Sequence, residues 1–210
     1  MSVIEQGMPL NHRKRLILKD FIKRHGIVFG PVQLFSGIKS EYYYDIKNVE
    51  FHPKGIHLLG ELLLREVAKY GAKSVGGMEM GAVPLATAIE LTSTMNSRYS
   101  KGLNAFCIRK GAKQYGLEKK IEGNMVSPVV IVDDVLTSGT STMDAIDAVT
   151  KEGISPKAVV FVVDRQEEGT PNLLKQNNIK YSSLFKHSDF RSFIEEKLKE
   201  KRQNRKIKSS

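Results

Sequence analysis

Two runs of the chain, VVIV at 129–132 and the VVFVV within KAVVFVVD at 157–164, are apolar at every consecutive position. A strand with one wet face alternates apolar and polar residues, whereas these runs must bury both faces. Strands of that kind belong in a parallel sheet covered by helices on each side. Strand-like and helical patterns alternate from 55 to 164. The expected fold is α/β: an open, mostly parallel sheet with helices on both faces.

The helical stretches are 12–24, 55–69, about 84–91, about 140–150 and 187–202. In the first, Leu16, Ile17, Phe21 and the apolar positions between them fall near one face and Gly26 is the stop. In the last, Phe190, Phe193, Ile194 and Leu198 share a face, and Ser188 or Asp189 can cap it. EYYYDI at 41–46, SVGGMEMG at 74–81, NAFCIRK at 104–110 and IKYSSLF at 179–185 read as strands, while 27–37 reads as broken strand and turn. The polar stretch GAKQYGLEKKIEGN, 111–124, reads as a loop, and QNRKIKSS, 203–210, as a flexible basic tail. No repeat or low-complexity linker divides the 210 residues, so a single domain is expected.

Lysine and arginine outnumber aspartate and glutamate 33 to 23, a net charge of +10. That balance suits anionic partners and leaves nucleic acid, a membrane surface or a phosphorylated small molecule open. The lone Cys107 excludes a disulfide within the chain and reads as a buried strand residue in a reducing compartment. The five histidines are scattered and give no metal-ligand cluster. No apolar signal core opens the chain and no apolar run is long enough to cross a bilayer, so a cytoplasmic protein without a membrane partner is expected.

The first apolar run leads into the most specific feature, VVIVDDVLTSGTST at 129–142. Ligands of open α/β sheets bind beyond the carboxyl ends of the strands, where Asp133 and Asp134 stand. Thr137, Ser138, Gly139, Thr140 and Ser141 then lead into a helix. Their backbone N–H groups and the helix dipole suit a phosphate, and their small side chains let it approach. Two adjacent carboxylates can each accept from a hydroxyl of a diol. Diol and phosphate together describe a ribose 5-phosphate. No lysine follows the glycine, so this is not a Walker A loop.

This stretch resembles the phosphoribosyl-pyrophosphate motif of type I phosphoribosyltransferases. The resemblance implies that Asp133 and Asp134 hold the ribose hydroxyls and that 137–141 cradle the 5-phosphate. It also implies that family's fold, with a small hood built from residues 1–50 and the C-terminal region. Three further stretches resemble the orotate phosphoribosyltransferases in particular, over about 15–190. FSGIKSEYYYD, 35–45, implies Lys39 and the tyrosines, Tyr43 and Tyr44 among them, on the substrate side. IRKGAKQYG, 108–116, is similar to the mobile catalytic loop and implies roles for Arg109, Lys110, Lys113 and Tyr115. DRQEEG, 164–169, makes Arg165 the group that meets the orotate carboxylate, although it could equally pair with Glu167 or Glu168.

The implied reaction is transfer of the phosphoribosyl group from phosphoribosyl pyrophosphate to orotate, giving orotidine 5-phosphate and pyrophosphate in pyrimidine biosynthesis. The implied cofactor is Mg²⁺, carried by the donor near Asp133 and Asp134 with no direct protein ligand. A homodimer with a shared active site is implied as well, Arg109 reaching the neighbouring donor. GGMEMGAVPLA, 76–86, fits the loop that accommodates pyrophosphate. Its Met78 and Met80 read equally as packing, and Glu79 as a Mg²⁺-water contact or a surface acid. The chain departs from the best-known pattern at Phe35 and Gly81, where lysines are usual, and at Tyr115, where histidine is usual. Another purine or pyrimidine base, or a non-catalytic sensor of the donor, are therefore the alternatives. No helix-turn-helix or RNA-binding module is evident, which argues against nucleic acid as the partner.

Overall fold

The computed structural model describes residues 9–33, 39–97, 101–111, 120–167, 174 and 176–208. Helix α1 (Leu10–Phe21) runs through a π-helical turn, Ile22–Gly26, into an antiparallel hairpin of β1 (Ile27–Gln33) and β2 (Lys39–Tyr44). Then come α2 (Lys47–Glu50), α3 (Pro53–Ala68), β3 (Ser74–Met78), α4 (Ala82–Thr94), β4 (Asn104–Ile108) and β5 (Ile121–Gly123). The chain continues with β6 (Val129–Leu136), α5 (Thr140–Lys151), β7 (Ala158–Asp164), β8 (Tyr181–Lys186), a 3₁₀ turn at His187–Asp189 and α6 (Arg191–Lys208).

The main sheet has the order β5-β4-β3-β6-β7-β8 and is parallel except where β5 joins β4. Its central strands feed two separate cores. Val130, Val132, Val160 and Val162 pack with α3, α4 and the hood, whereas Val129, Ile131, Val159 and Phe161 pack with α5. The pleat sends alternate residues to opposite faces. A run with both faces buried therefore needs no polar alternation, as the pattern of VVIV and AVVFVVD requires.

Both chain ends build the hood. Phe29 of β1 meets Phe193 of α6 with ring centroids 6.0 Å apart, and Lys201 Nζ donates to the Phe29 carbonyl at 2.7 Å. Arg202 pairs with Glu41 of β2. Phe190 and Ile194 are buried against the first core, with Phe193 and Leu198 partly buried beside them.

Several local expectations are corrected. α1 buries Leu18 and Phe21, continuing to Ile22, while Leu16 and Ile17 are 40% and 37% exposed. The contact face follows the i, i+3, i+4 spacing from Leu18. β5 lies where the sequence reads as loop, because three residues are too few to display a period. α6 extends past Arg202 to Lys208. Cys107 is half-buried, not buried.

The strand order carries the functional consequence. β3 leads through α4 to β4 on one side, and β6 leads through α5 to β7 on the other. Their connections diverge, which leaves a crevice beyond the carboxyl ends of β3 and β6, the topological switch point of an open sheet.

Candidate active site

Strand β6 runs on through the acidic pair to Leu136, so Asp133 and Asp134 lie within its last half rather than beyond its end. Asp133 pairs in register with Phe161 of β7. Asp133 Oδ1 accepts from the Asp134 N–H at 3.0 Å, and Asp134 Oδ1 accepts from the Val135 N–H at 2.8 Å. The remaining oxygen of Asp134, Oδ2, takes Lys47 Nζ at 2.9 Å. Burial, and then the charge of Asp134, push the Asp133 carboxyl up from its ordinary range.

The loop that follows turns at Gly139, whose φ of 81° is left-handed. A side chain there would strain the backbone, which explains the glycine between Ser138 and Thr140. The Ser138 and Thr140 hydroxyls lie 3.1 Å apart. Helix α5 begins at Thr140 and presents its N-terminus to the same space.

That space is a cavity of about 870 Å³. Asp133, Asp134, Thr137, Ser138, Thr140 and Ser141 line it from β6 and the loop that leads into α5. Tyr43, Tyr44, Lys110 and Arg165 line it from three other segments. Its lining does not include Lys39 or Arg109. Lys39 is exposed at the start of β2. The Arg109 guanidinium faces Glu122, Nη1 to Oε1 3.9 Å, and its buried Nε has no partner among the described residues. Phe35, Lys113, Tyr115 and Glu168 lie outside the described residues.

Neighbouring residues support these walls. Glu79 Oε1 accepts from the Lys110 N–H at 3.0 Å, tying the root of the basic segment to the turn between β3 and α4, so Glu79 stands before the helix rather than on its surface. Met78 and Met80 both line the cavity, Met78 from the second core and Met80 from a position 55% exposed. Arg165 Nε stands 3.3 Å from Glu167 Oε1, and its side chain is 10% exposed. The segment after it is pinned by Asp164 Oδ1 accepting from Gln166 N–H at 2.8 Å and Gln166 Oε1 accepting from Ser188 N–H at 2.9 Å.

No family model matches the chain. Curated relatives do. The orotate phosphoribosyltransferase of Corynebacterium glutamicum is 35% identical over 182 residues, covering 86% of this chain and 95% of that protein. The Aquifex aeolicus enzyme of the same name is 37% identical over 178 residues, covering 83% and 93%. The chain belongs to the orotate phosphoribosyltransferase family. The crystal structure of the Mycobacterium tuberculosis orotate phosphoribosyltransferase in complex with phosphoribosyl pyrophosphate superposes with a TM-score of 0.67 at 31% identity, over 84% of this chain and 98% of that one. Another crystal structure of the M. tuberculosis enzyme gives 0.71 at 32% identity, over the same shares. The type I phosphoribosyltransferase fold is thus the fold of this chain.

Within this orotate phosphoribosyltransferase family member, Gly81 has a local reason. A Cβ at that position would lie 2.7 Å from Asp133 Oδ1 and 2.8 Å from Asp134 Oδ1. The carboxylates of the acidic pair lie against the Gly81 backbone, so a side chain there would require them to shift. Lys47, Glu50, Lys120 and Asp144 escape the sequence reading. Lys47, Lys120 and Asp144 line the cavity and Glu50 is buried beside the acidic pair. No motif marks them. The one available signal for Lys47 and Glu50 is their place directly after the tyrosine strand that borders the site.

Proposed function

We propose that this protein catalyses phosphoribosyl transfer from phosphoribosyl pyrophosphate to orotate, releasing orotidine 5-phosphate and pyrophosphate. The observation that carries the reading is the convergence of the acidic pair, the 137–141 loop, Lys110 and Arg165 on one cavity. In this reading Asp133 and Asp134 accept from the ribose hydroxyls, and the loop with the α5 N-terminus takes the 5-phosphate. Arg165 presents a planar fork to the orotate carboxylate, with Tyr43 and Tyr44 beside the ring. A ring nitrogen of orotate attacks the anomeric carbon as the bond to pyrophosphate breaks. Lys110 and Lys113 neutralise the charge that develops on the leaving group, each such contact being worth about 10²- to 10³-fold in rate.

Mg²⁺ enters as part of the donor. In this reading the ion is held by the donor's own oxygens, near Asp133 and Asp134. Bound there, it would spread the negative charge of the pyrophosphate. The reading includes a homodimer in which Arg109, which faces Glu122 in its own chain, serves the neighbouring site. No described helix is long and apolar enough to cross a membrane, and the reading includes a cytoplasmic location.

A base-panel assay tests the reaction. Purified protein, Mg²⁺ and donor are incubated with orotate, uracil, hypoxanthine, guanine, xanthine and adenine. Conversion of orotate alone is expected. Conversion of another base would keep the donor site and reassign Arg165, and donor binding without transfer would favour a sensor. Sedimentation equilibrium tests the dimer.

A further inference from the structure

Glu50 closes the single turn of α2 and is 2% exposed. Neither of its carboxyl oxygens has a hydrogen-bond partner among the described residues. A buried carboxylate without a partner is unstable, so the group must be neutral or acquire a cation. The nearest candidate cation is already engaged. Lys47, one turn earlier on α2, has its Nζ 2.9 Å from Asp134 Oδ2. The other oxygen of Asp134 is held by the Val135 N–H at 2.8 Å. Asp134 is thereby fixed at both oxygens, one contact coming from its own strand and the other from α2.

We propose that the α2 turn is a positioning device for the donor site, in which Lys47 holds the Asp134 side chain aimed at the ribose hydroxyls while the buried Glu50, making no hydrogen bond of its own, leaves Lys47 to that contact. This rests on the donor reading above. Neither residue needs to touch the base, and Glu50 acts through Lys47 and Asp134.

The surrounding charges give the device its sense. Facing Glu50 are Asp133 and Asp134 from β6, Lys47 from α2 and Asp45 from the turn before it. Burial, and then Asp134, push the Glu50 carboxyl up to about 9. Below that pH the acid is neutral and Lys47 is committed to Asp134. Above it, Glu50 becomes an anion three residues from Lys47 on the same helix and competes for it. A second negative charge then stands beside a site that must accept a polyanion. Donor affinity falls as pH rises through that range.

Calorimetric titration with Mg²⁺-phosphoribosyl pyrophosphate, at pH 7 and pH 9.5, tests this on the full-length wild type, Glu50→Gln and Lys47→Met. Circular dichroism confirms the fold of each. Wild-type affinity should drop about fourfold between the two pH values, while Glu50→Gln, a permanently neutral isostere, should lose less than about twofold. Lys47→Met should bind the donor about tenfold more weakly at pH 7, with the orotate KM moving far less than the donor KM. A measurement on the wild type alone is independent of any variant's folding. Titrations at pH 9 in buffers of different ionisation enthalpy should show uptake of roughly half a proton per donor bound. The same pH dependence in wild type and Glu50→Gln, no proton uptake, or an unaltered donor affinity in Lys47→Met would each overturn the proposal while leaving the family reaction standing. A wild-type chain that binds no donor at all would overturn the donor reading and the positioning role with it.

Discussion

The Tyr44 hydroxyl lies 3.0 Å from Nδ1 of His187, and this bond ties the second strand of the hood to the turn before the last helix. Tyr42 stacks on the same imidazole at 5.9 Å, and Phe190 meets the Tyr44 ring at 5.9 Å. Burial, and then the neighbouring Tyr42, hold the Tyr44 phenol well above its ordinary range. Burial, and then the cations Arg191 and Arg165, lower the His187 imidazole. The pair is therefore a neutral hydrogen bond at neutral pH, one wall of which lines the cavity beside Arg165.

Replacing Tyr44 by Phe keeps the packing and deletes that bond. The expected cost is about 1 kcal/mol of stability. The orotate KM should rise several-fold with the donor KM nearly constant, because the ring sits on the Arg165 side. Denaturant melts and two-substrate kinetics measure both; equal shifts in the two KM values would remove Tyr44 from the base side.

His187 also fixes an acid-side dependence. Its folded pKa lies below the ordinary imidazole value of 6.5, so the unfolded chain binds the proton first. Stability is then lost as pH falls below that value. His187→Asn should show a smaller loss between pH 7 and pH 5 in parallel chemical denaturation series.

Gly81 has a φ of −64°, so its role is space and not backbone freedom. Gly81→Ala inserts a methyl against both aspartates and should raise the donor KM by about tenfold or more, since small displacements of a substrate-holding group are costly. Gly81→Lys, which restores the usual family residue, should be worse still. Activity at or above wild type in the lysine variant would show that the acidic pair moves aside readily.

Glu50 makes stability fall toward alkaline pH. Its carboxyl sits at about 9 in the fold against an ordinary 4.5 in the unfolded chain, so between those values the folded chain holds a proton the unfolded chain has released. Its contribution is full below the lower value and is lost progressively as pH rises to the upper one. Relative to Glu50→Gln, the wild type should lose stability by at most about 1.4 kcal/mol per pH unit. Denaturation at pH 5, 7 and 9 reads the two slopes, and parallel slopes would mean that Glu50 ionises in the fold as it does in the open chain.

Arg165→Lys exchanges a fork for a point charge. With charged hydrogen bonds worth about 1.5–3 kcal/mol, kcat/KM for orotate should fall roughly 10- to 100-fold while donor binding persists. Steady-state kinetics against calorimetric donor affinity separates the two effects.

The consecutive apolar residues of VVIV and AVVFVVD determined a two-sided parallel sheet, because no other placement buries both faces of a strand. The stretch from Asp133 to Ser141 was legible as one wall of the cavity, because its acids, hydroxyls and glycine are contiguous in the sequence. Helix ends, the three-residue β5 and the buried face of α1 were less legible, since short periods and partner surfaces decide them. The contact of Lys47 with Asp134, 87 positions away, was decided by tertiary structure alone. So were the burial of Glu50, the lack of room at Gly81 and the bond from Tyr44 to His187. Each depends on which segments the strand order brings to the crevice between β3 and β6, and local sequence carries no record of a neighbour so distant along the chain.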